Sequence, residues 1–135
     1  MIVLDGKKTS QEIKEEIKHK VTAMKERGIP VPHLAAVLVG NDGASLTYVG
    51  SKVRSCDQIG FKSTLIRLEE QITEEDLMQE IEQLNQDETL DGFIVQLPLP
   101  KHINEERVLL SINPRKDVDG FHPTNFGRMA LNLDA

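Results

Sequence analysis

The chain has 135 residues, of which 39% are hydrophobic and 28% charged, and its formal net charge is −6. That is length enough for one domain with its own core, and the acidic balance excludes a polybasic nucleic-acid binder or membrane anchor. No apolar run approaches the roughly 20 residues of a membrane-crossing helix, the opening Met1-Ile-Val-Leu-Asp-Gly-Lys-Lys8 is not a signal peptide, and the lone Cys56 offers no disulfide framework. A cytoplasmic protein is the simplest reading.

Thr9 and Glu12 have the spacing of a capping box, and Ile13, Ile17, Val21 and Met24 keep helical periodicity up to Gly28, which predicts a first helix. Leu34 to Val39 is apolar on both faces and reads as a buried strand. Gly40-Asn-Asp-Gly43 turns the chain into a second helix ending near Gly60, and Phe61 to Leu68 is a second strand. A third helix starts at Thr73, with Asp76 as its box partner and Leu77, Ile81 and Leu84 on its apolar face. Gly92 to Leu97 is a third strand, stopped by Pro98-Leu-Pro100, and a short helix runs from about Asn104 to Ile112.

Strands that alternate with helices and are apolar on both faces specify an α/β fold. The expectation is a three-layer sandwich, a mostly parallel sheet flanked by helices with right-handed crossovers. Ligands of such sheets sit beyond the carboxyl ends of the strands. Gly40 to Ser45, Gln96 to Pro100 and Asp117 to Gly120 are the loops expected at that edge.

Three pieces of sequence carry chemistry. Tyr48 and Lys52 stand four apart on the second helix and so share a face. A lysine there can exchange protons once its surroundings disfavour the charge, and a phenol can stack on a flat ligand. The same spacing fits a solvated helix face, and it also occurs in short-chain dehydrogenases, whose glycine-rich dinucleotide loop this chain lacks. Gln96 is a neutral amide where a buried strand exits, and it must find a partner in a ligand, a catalytic lysine or a neighbouring loop backbone. Asp117 and Asp119, followed by His122, fit first a turn in which an aspartate caps local backbone groups, second the recognition of an amino-heterocycle edge, and third a metal site. Gly40 to Gly43 resembles a phosphate cradle, but Asp42 sits wrongly for an anion and no Walker lysine follows. His19, His33 and His102 read as surface residues, and Cys56 as a small core filler.

Taken together, Val39-Gly-Asn-Asp-Gly-Ala-Ser-Leu-Thr-Tyr-Val-Gly-Ser-Lys52, Asp91-Gly-Phe-Ile-Val-Gln-Leu-Pro-Leu-Pro100 and Pro114-Arg-Lys-Asp-Val-Asp-Gly-Phe-His122 resemble the bifunctional methylenetetrahydrofolate dehydrogenase/methenyltetrahydrofolate cyclohydrolase family. Leu4-Asp-Gly-Lys7, Ile59-Gly60 and Asn125-Phe-Gly-Arg-Met129 fit as well. The resemblance implies the folate-binding catalytic domain of the family, an α/β unit of the amino-acid-dehydrogenase-like type, over residues 1–120. Residues 121–135 would begin the connection to an NAD(P)-binding Rossmann domain.

It further implies catalytic roles for Lys52, Tyr48, Gln96 and Asp119. Lys52 would serve both activities, Tyr48 would stack on the aminobenzoyl region, Gln96 would hydrogen-bond the lysine and Asp119 would grip the pterin edge. Ser45, Val95, Leu97 and Pro98 would complete the substrate slot. Tetrahydrofolate derivatives would be the ligands and NADP the cofactor of a homodimeric parent, with no metal, nucleic acid or membrane partner. No nucleotide fingerprint occurs in these residues, so the segment alone should lack dehydrogenase activity. The alternatives are a non-catalytic folate-binding or interaction module of the same fold, and a nucleotide domain using Gly40 to Gly43.

Overall fold

The computed structural model describes residues 5–41 and 43–133; Leu4, Asp42, Asp134 and Ala135 from the segments discussed above lie outside the described residues. The elements in chain order are α1 (Gly6–Glu26), β1 (His33–Val39), α2 (Gly43–Ile59), β2 (Lys62–Leu68), α3 (Glu74–Gln86), β3 (Gly92–Val95), α4 (Glu105–Ser111) and α5 (Pro123–Ala130). The strands form a parallel sheet in the order β2-β1-β3. His33 is in register with Lys62, and Leu34 with both Ser63 and Gly92. The expected α/β architecture is therefore present, with the apolar β1 as its central strand.

The pleat sends alternate side chains to opposite faces, and each face packs on helices. Ala35, Val37, Val39, Phe93 and Val95 join Leu77, Ile81, Leu84, Val108 and Ile112 on the α3/α4 side. Ala36, Leu38 and Ile94 meet Val49 of α2 on the other side, with α1 outside, packed on α2. A residue's parity in its strand thus decides which layer it serves.

Two local expectations need correction. The cap of α1 is not Thr9 but Asp5, whose side chain accepts from the Lys8 N–H at 3.0 Å. Thr9 lies a turn inside the helix and donates its hydroxyl back to the Asp5 carbonyl at 3.0 Å. The Asp5-to-Lys8 and Thr9-to-Glu12 spacings are alike, and the helix takes the earlier start. His33 is no surface residue: it is 7% exposed, with Nδ1 3.1 Å from the Thr89 carbonyl and Nε2 2.8 Å from Thr64 Oγ1. A carbonyl only accepts, so Nδ1 carries the proton toward Thr89.

At α3 the expectation holds. Thr73 accepts from the Asp76 N–H at 3.1 Å and donates to the Asp76 carboxylate at 2.8 Å. α5 is an element that the hydrophobic pattern did not announce; His122 caps it and Pro123 fills its first turn.

Candidate functional site

Helical periodicity places Tyr48, Lys52 and Cys56 on one side of α2, while Val49 and Val53 turn inward onto the sheet. Tyr48 is 64% exposed. Burial, and then the charge of Asp57, push the Cys56 thiol above its ordinary range, which makes it a poor nucleophile and fits a packing role.

Asp119 reaches this helix from 67 residues away: the Lys52 ammonium donates to Asp119 Oδ1 at 3.4 Å. The two side chains are 43% and 30% exposed. An ion pair so open to water contributes at most about 1 kcal/mol to folding. Holding the fold together is not what distinguishes this pair.

Asp117 and Asp119, alike on spacing, have different environments. Asp117 Oδ1 accepts from the N–H groups of Gly120 and Phe121 at 3.1 and 3.4 Å. Its Oδ2 accepts from the His122 N–H at 2.9 Å and from Asn125 Nδ2 at 3.0 Å. This is the turn-capping aspartate. Asp119, two residues on, faces Lys52 instead.

Gln96 continues the sheet past β3, its N–H donating to the Val37 carbonyl at 2.9 Å. Pleat alternation puts its side chain on the face of Ile94, the face covered by α2. Nε2 donates to the Leu97 carbonyl at 2.7 Å, which fixes the orientation of the amide. Oε1 is then a buried acceptor with no hydrogen-bond partner among the described residues. Such an atom costs about 1–3 kcal/mol when left unanswered. The hydroxyl of the buried Ser45 also donates to the Leu97 carbonyl, at 3.5 Å, and so ties the first turn of α2 to the same strand exit.

A cavity of about 340 Å³ lies between α2 and the sheet, lined by Lys52, Asp119, Ala36, Cys56, Ile94 and Val118 among others. The structure therefore brings Lys52 and Asp119 together at a cavity wall, while Tyr48 and Gln96 lie outside that lining. Val95 lies on the other face of the sheet from Ile94. It is 4% exposed and belongs to the α3/α4 core, because odd residues of β3 face away from α2. Leu97 packs against that same core, and Pro98 is exposed, joined to Leu97 by a cis peptide. Ala36, Ile94 and Val118 line the cavity without having been candidates. For Ile94 the pleat was the available signal, whereas Val118 depends on a turn that periodicity does not describe. Among the described residues no group of three or more His, Cys, Asp or Glu is arranged to hold a metal ion.

An open parallel sheet with a lysine–carboxylate pair and a cavity under its covering helix defines an α/β domain with a candidate small-molecule site. The comparisons with known proteins make the class specific. The family model for the tetrahydrofolate dehydrogenase/cyclohydrolase catalytic domain matches residues 4–119. The bifunctional protein FolD of Flavobacterium johnsoniae is 66% identical over 135 residues, which are 100% of this chain and 46% of that protein. Its counterpart in Cytophaga hutchinsonii is 60% identical over 133 residues, 98% of this chain and 46% of that one.

Among solved structures, the bifunctional FolD methylenetetrahydrofolate dehydrogenase/cyclohydrolase of Campylobacter jejuni superposes with a TM-score of 0.94 at 47% identity, covering 100% of this chain and 48% of that one. The Trypanosoma brucei FolD, solved with NADP cofactor and inhibitor, gives 0.89 at 32% identity over 95% of this chain and 43% of that one. The chain belongs to the tetrahydrofolate dehydrogenase/cyclohydrolase family, in its catalytic domain. It spans about half the length of the relatives that it matches.

Proposed function

We propose that this chain is the folate-binding catalytic domain of an enzyme that oxidises 5,10-methylenetetrahydrofolate to 5,10-methenyltetrahydrofolate and hydrolyses the product to 10-formyltetrahydrofolate. The observation that carries the reading is the approach of Lys52 to Asp119 at 3.4 Å beside a cavity. A pterin presents an edge of adjacent N–H donors, which a carboxylate accepts in pairs, and Asp119 has lone pairs to offer beyond the one facing Lys52. Lys52 then stands near the one-carbon bridge. Tyr48, exposed one turn earlier, offers its ring to the aminobenzoyl group. The buried Oε1 of Gln96 supports the same reading, since an ammonium or a ligand N–H would answer it. Ser45 braces this edge, and Leu97 and Pro98 carry the chain past it; Val95 backs it from the core rather than lining it.

In the hydrolytic step, water adds to the bridging carbon of the amidinium, the bond from that carbon to N5 breaks, and N5 gains a proton as the formyl group stays on N10. Lys52 is the group placed to move the proton lost by water. The oxidative step needs a hydride acceptor, and the described residues do not fit the phosphates of NADP. Among the described residues, the glycine-rich turn that enters α2 has Gly40 at φ +76, where an added Cβ would meet the Glu70 Cβ at 3.4 Å, so an acidic residue packs beside this turn. We assign cofactor binding to a separate Rossmann domain, with residues 121–135 starting the connection to it, in a cytoplasmic, homodimeric protein. The segment alone is then inactive as a dehydrogenase.

Lys52→Ala tests the assignment. In the two-domain protein, hydrolysis of 5,10-methenyltetrahydrofolate, followed by loss of its absorbance, should fall at least about 100-fold, as for loss of a proton-transferring group. Tetrahydrofolate binding by calorimetry should persist. Unchanged hydrolysis removes Lys52 from the mechanism.

A further inference from the structure

The placement of Asp119 depends on groups that do not face the cavity. Val118 and Asp119 form a two-residue span, and the chain is fastened on both sides of it. On the near side, Phe93 N–H donates to the Lys116 carbonyl at 2.9 Å and Asp117 bridges to Phe93 as a short parallel extension of the sheet. The Lys116 ammonium donates to the Leu84 and Asp87 carbonyls at 2.8 and 2.6 Å, which pins this segment to the end of α3. On the far side, the Asp117 carboxylate itself receives Gly120, Phe121 and His122, with Asn125 as a fourth donor from α5. Gly120 makes the turn at φ +70, a conformation that favours glycine.

We infer that Asp117 is a positioning residue: its carboxylate closes the 117–122 turn and so holds Asp119 against Lys52. The inference rests on the folate reading only for its effect on binding, since the geometry stands without a ligand. The chemistry asks for a carboxylate. Two donors converge on each oxygen, and asparagine would replace one oxygen by an NH₂ group that confronts two N–H groups in either orientation. Among the described residues, Asp117 is the acceptor that Gly120, Phe121 and His122 share. With Asp117→Asn, residues 118–122 lose their closure while the Lys116 anchors stay in place.

The test uses Asp117→Asn, Asp119→Ala and the double variant of this chain, with wild type alongside. The ligand-free readout is the nuclear Overhauser contact between the Lys52 ε-methylene and the Asp119 β-methylene protons. Asp117→Asn should abolish it while the amides of the three strands keep their hydrogen-exchange protection. A contact that persists at wild-type intensity overturns the proposal whether or not any folate binds.

The second readout is calorimetry with tetrahydrofolate as the probe. Asp117→Asn should weaken binding about tenfold in the wild-type background and less than twofold when Asp119 is already alanine, because residues that act through one another are not additive. An equal tenfold loss in both backgrounds marks Asp117 as merely structural and overturns the proposal. If wild type fails to bind tetrahydrofolate, the functional reading fails and the proton contact alone decides this one. If Asp117→Asn does not fold, Asn125→Ala, which removes one donor from the same carboxylate, should weaken the Lys52–Asp119 contact; an undiminished contact there counts against the inference.

Discussion

Replacing Gly92 by alanine measures how closely the Asp119 turn is pressed against the sheet. A Cβ at this position would lie 2.5 Å from Val118 Cγ1, 3.1 Å from the Lys116 carbonyl oxygen and 3.7 Å from Leu34 Cδ2. Carbon atoms rest at about 3.5–4.0 Å, so Val118 must retreat by about 1 Å. The Lys116 carbonyl cannot follow freely, because it accepts the Phe93 N–H at 2.9 Å. Overpacking of this kind costs about 1–3 kcal/mol, or a melting point lower by roughly 4–12 °C for a domain of this size. Thermal and urea unfolding followed by circular dichroism give the number. Adding Val118→Ala removes the worst contact and leaves the carbonyl one, so the pair should recover at least about half of the loss. A Gly92→Ala protein that melts with wild type, or a double variant no more stable than the single one, would show that the turn is not packed as described.

Two further outcomes are expected. Asp5→Ala should cost about 1 kcal/mol in urea unfolding, the usual value of an N-cap. Thr9→Ala should be close to neutral, because it gives up one exposed hydroxyl contact but places a better helix former inside α1; the reverse order would restore Thr9 as the cap. Glu74 accepts from the Asn104 N–H and pairs with Arg107, and these, the backbone bond foremost, hold its carboxyl below the ordinary range. A depressed carboxyl stabilises the fold above its unfolded value, about 4.3 for glutamate, and that contribution disappears as pH falls through the folded value. The melting-point gap between wild type and Glu74→Gln should therefore be full above the unfolded value and close as pH falls below it through the folded value. A constant gap would exclude the linkage.

The legible parts of the sequence are those whose causes are local. The apolar run from Leu34 to Val39 needs cover on both faces wherever it lies, so a sheet between helices follows from it alone. Thr73 could be recognised as a cap because its partner is three residues away. His33 could not be placed, since Thr64 and Thr89, 31 and 56 residues distant, make its burial tolerable. Asp117 and Asp119 differ because the chain leaves its bridge with Phe93 and then turns at Gly120; a rule that assumes an extended chain gives both the same direction. α5 did leave a signal in His122-Pro123, a cap followed by proline at the first helical position, but its apolar residues Phe126 and Met129 remain largely exposed, so no buried stripe accompanied it. Val95 joins the α3/α4 core because a strand presents one face only every second residue.

The 67 residues between Lys52 and Asp119 also order events in time. A ribosome adds about 5–20 residues per second, so Lys52 emerges roughly 3–13 s before its carboxylate partner has been made. β1, α2 and β2 are neighbours in sequence and can pair early, but β3 and the turn after it arrive later. During that interval α2 and one edge of β1 are without the partner that finishes the cavity. The lysine helix is thus made before the carboxylate that comes to face it.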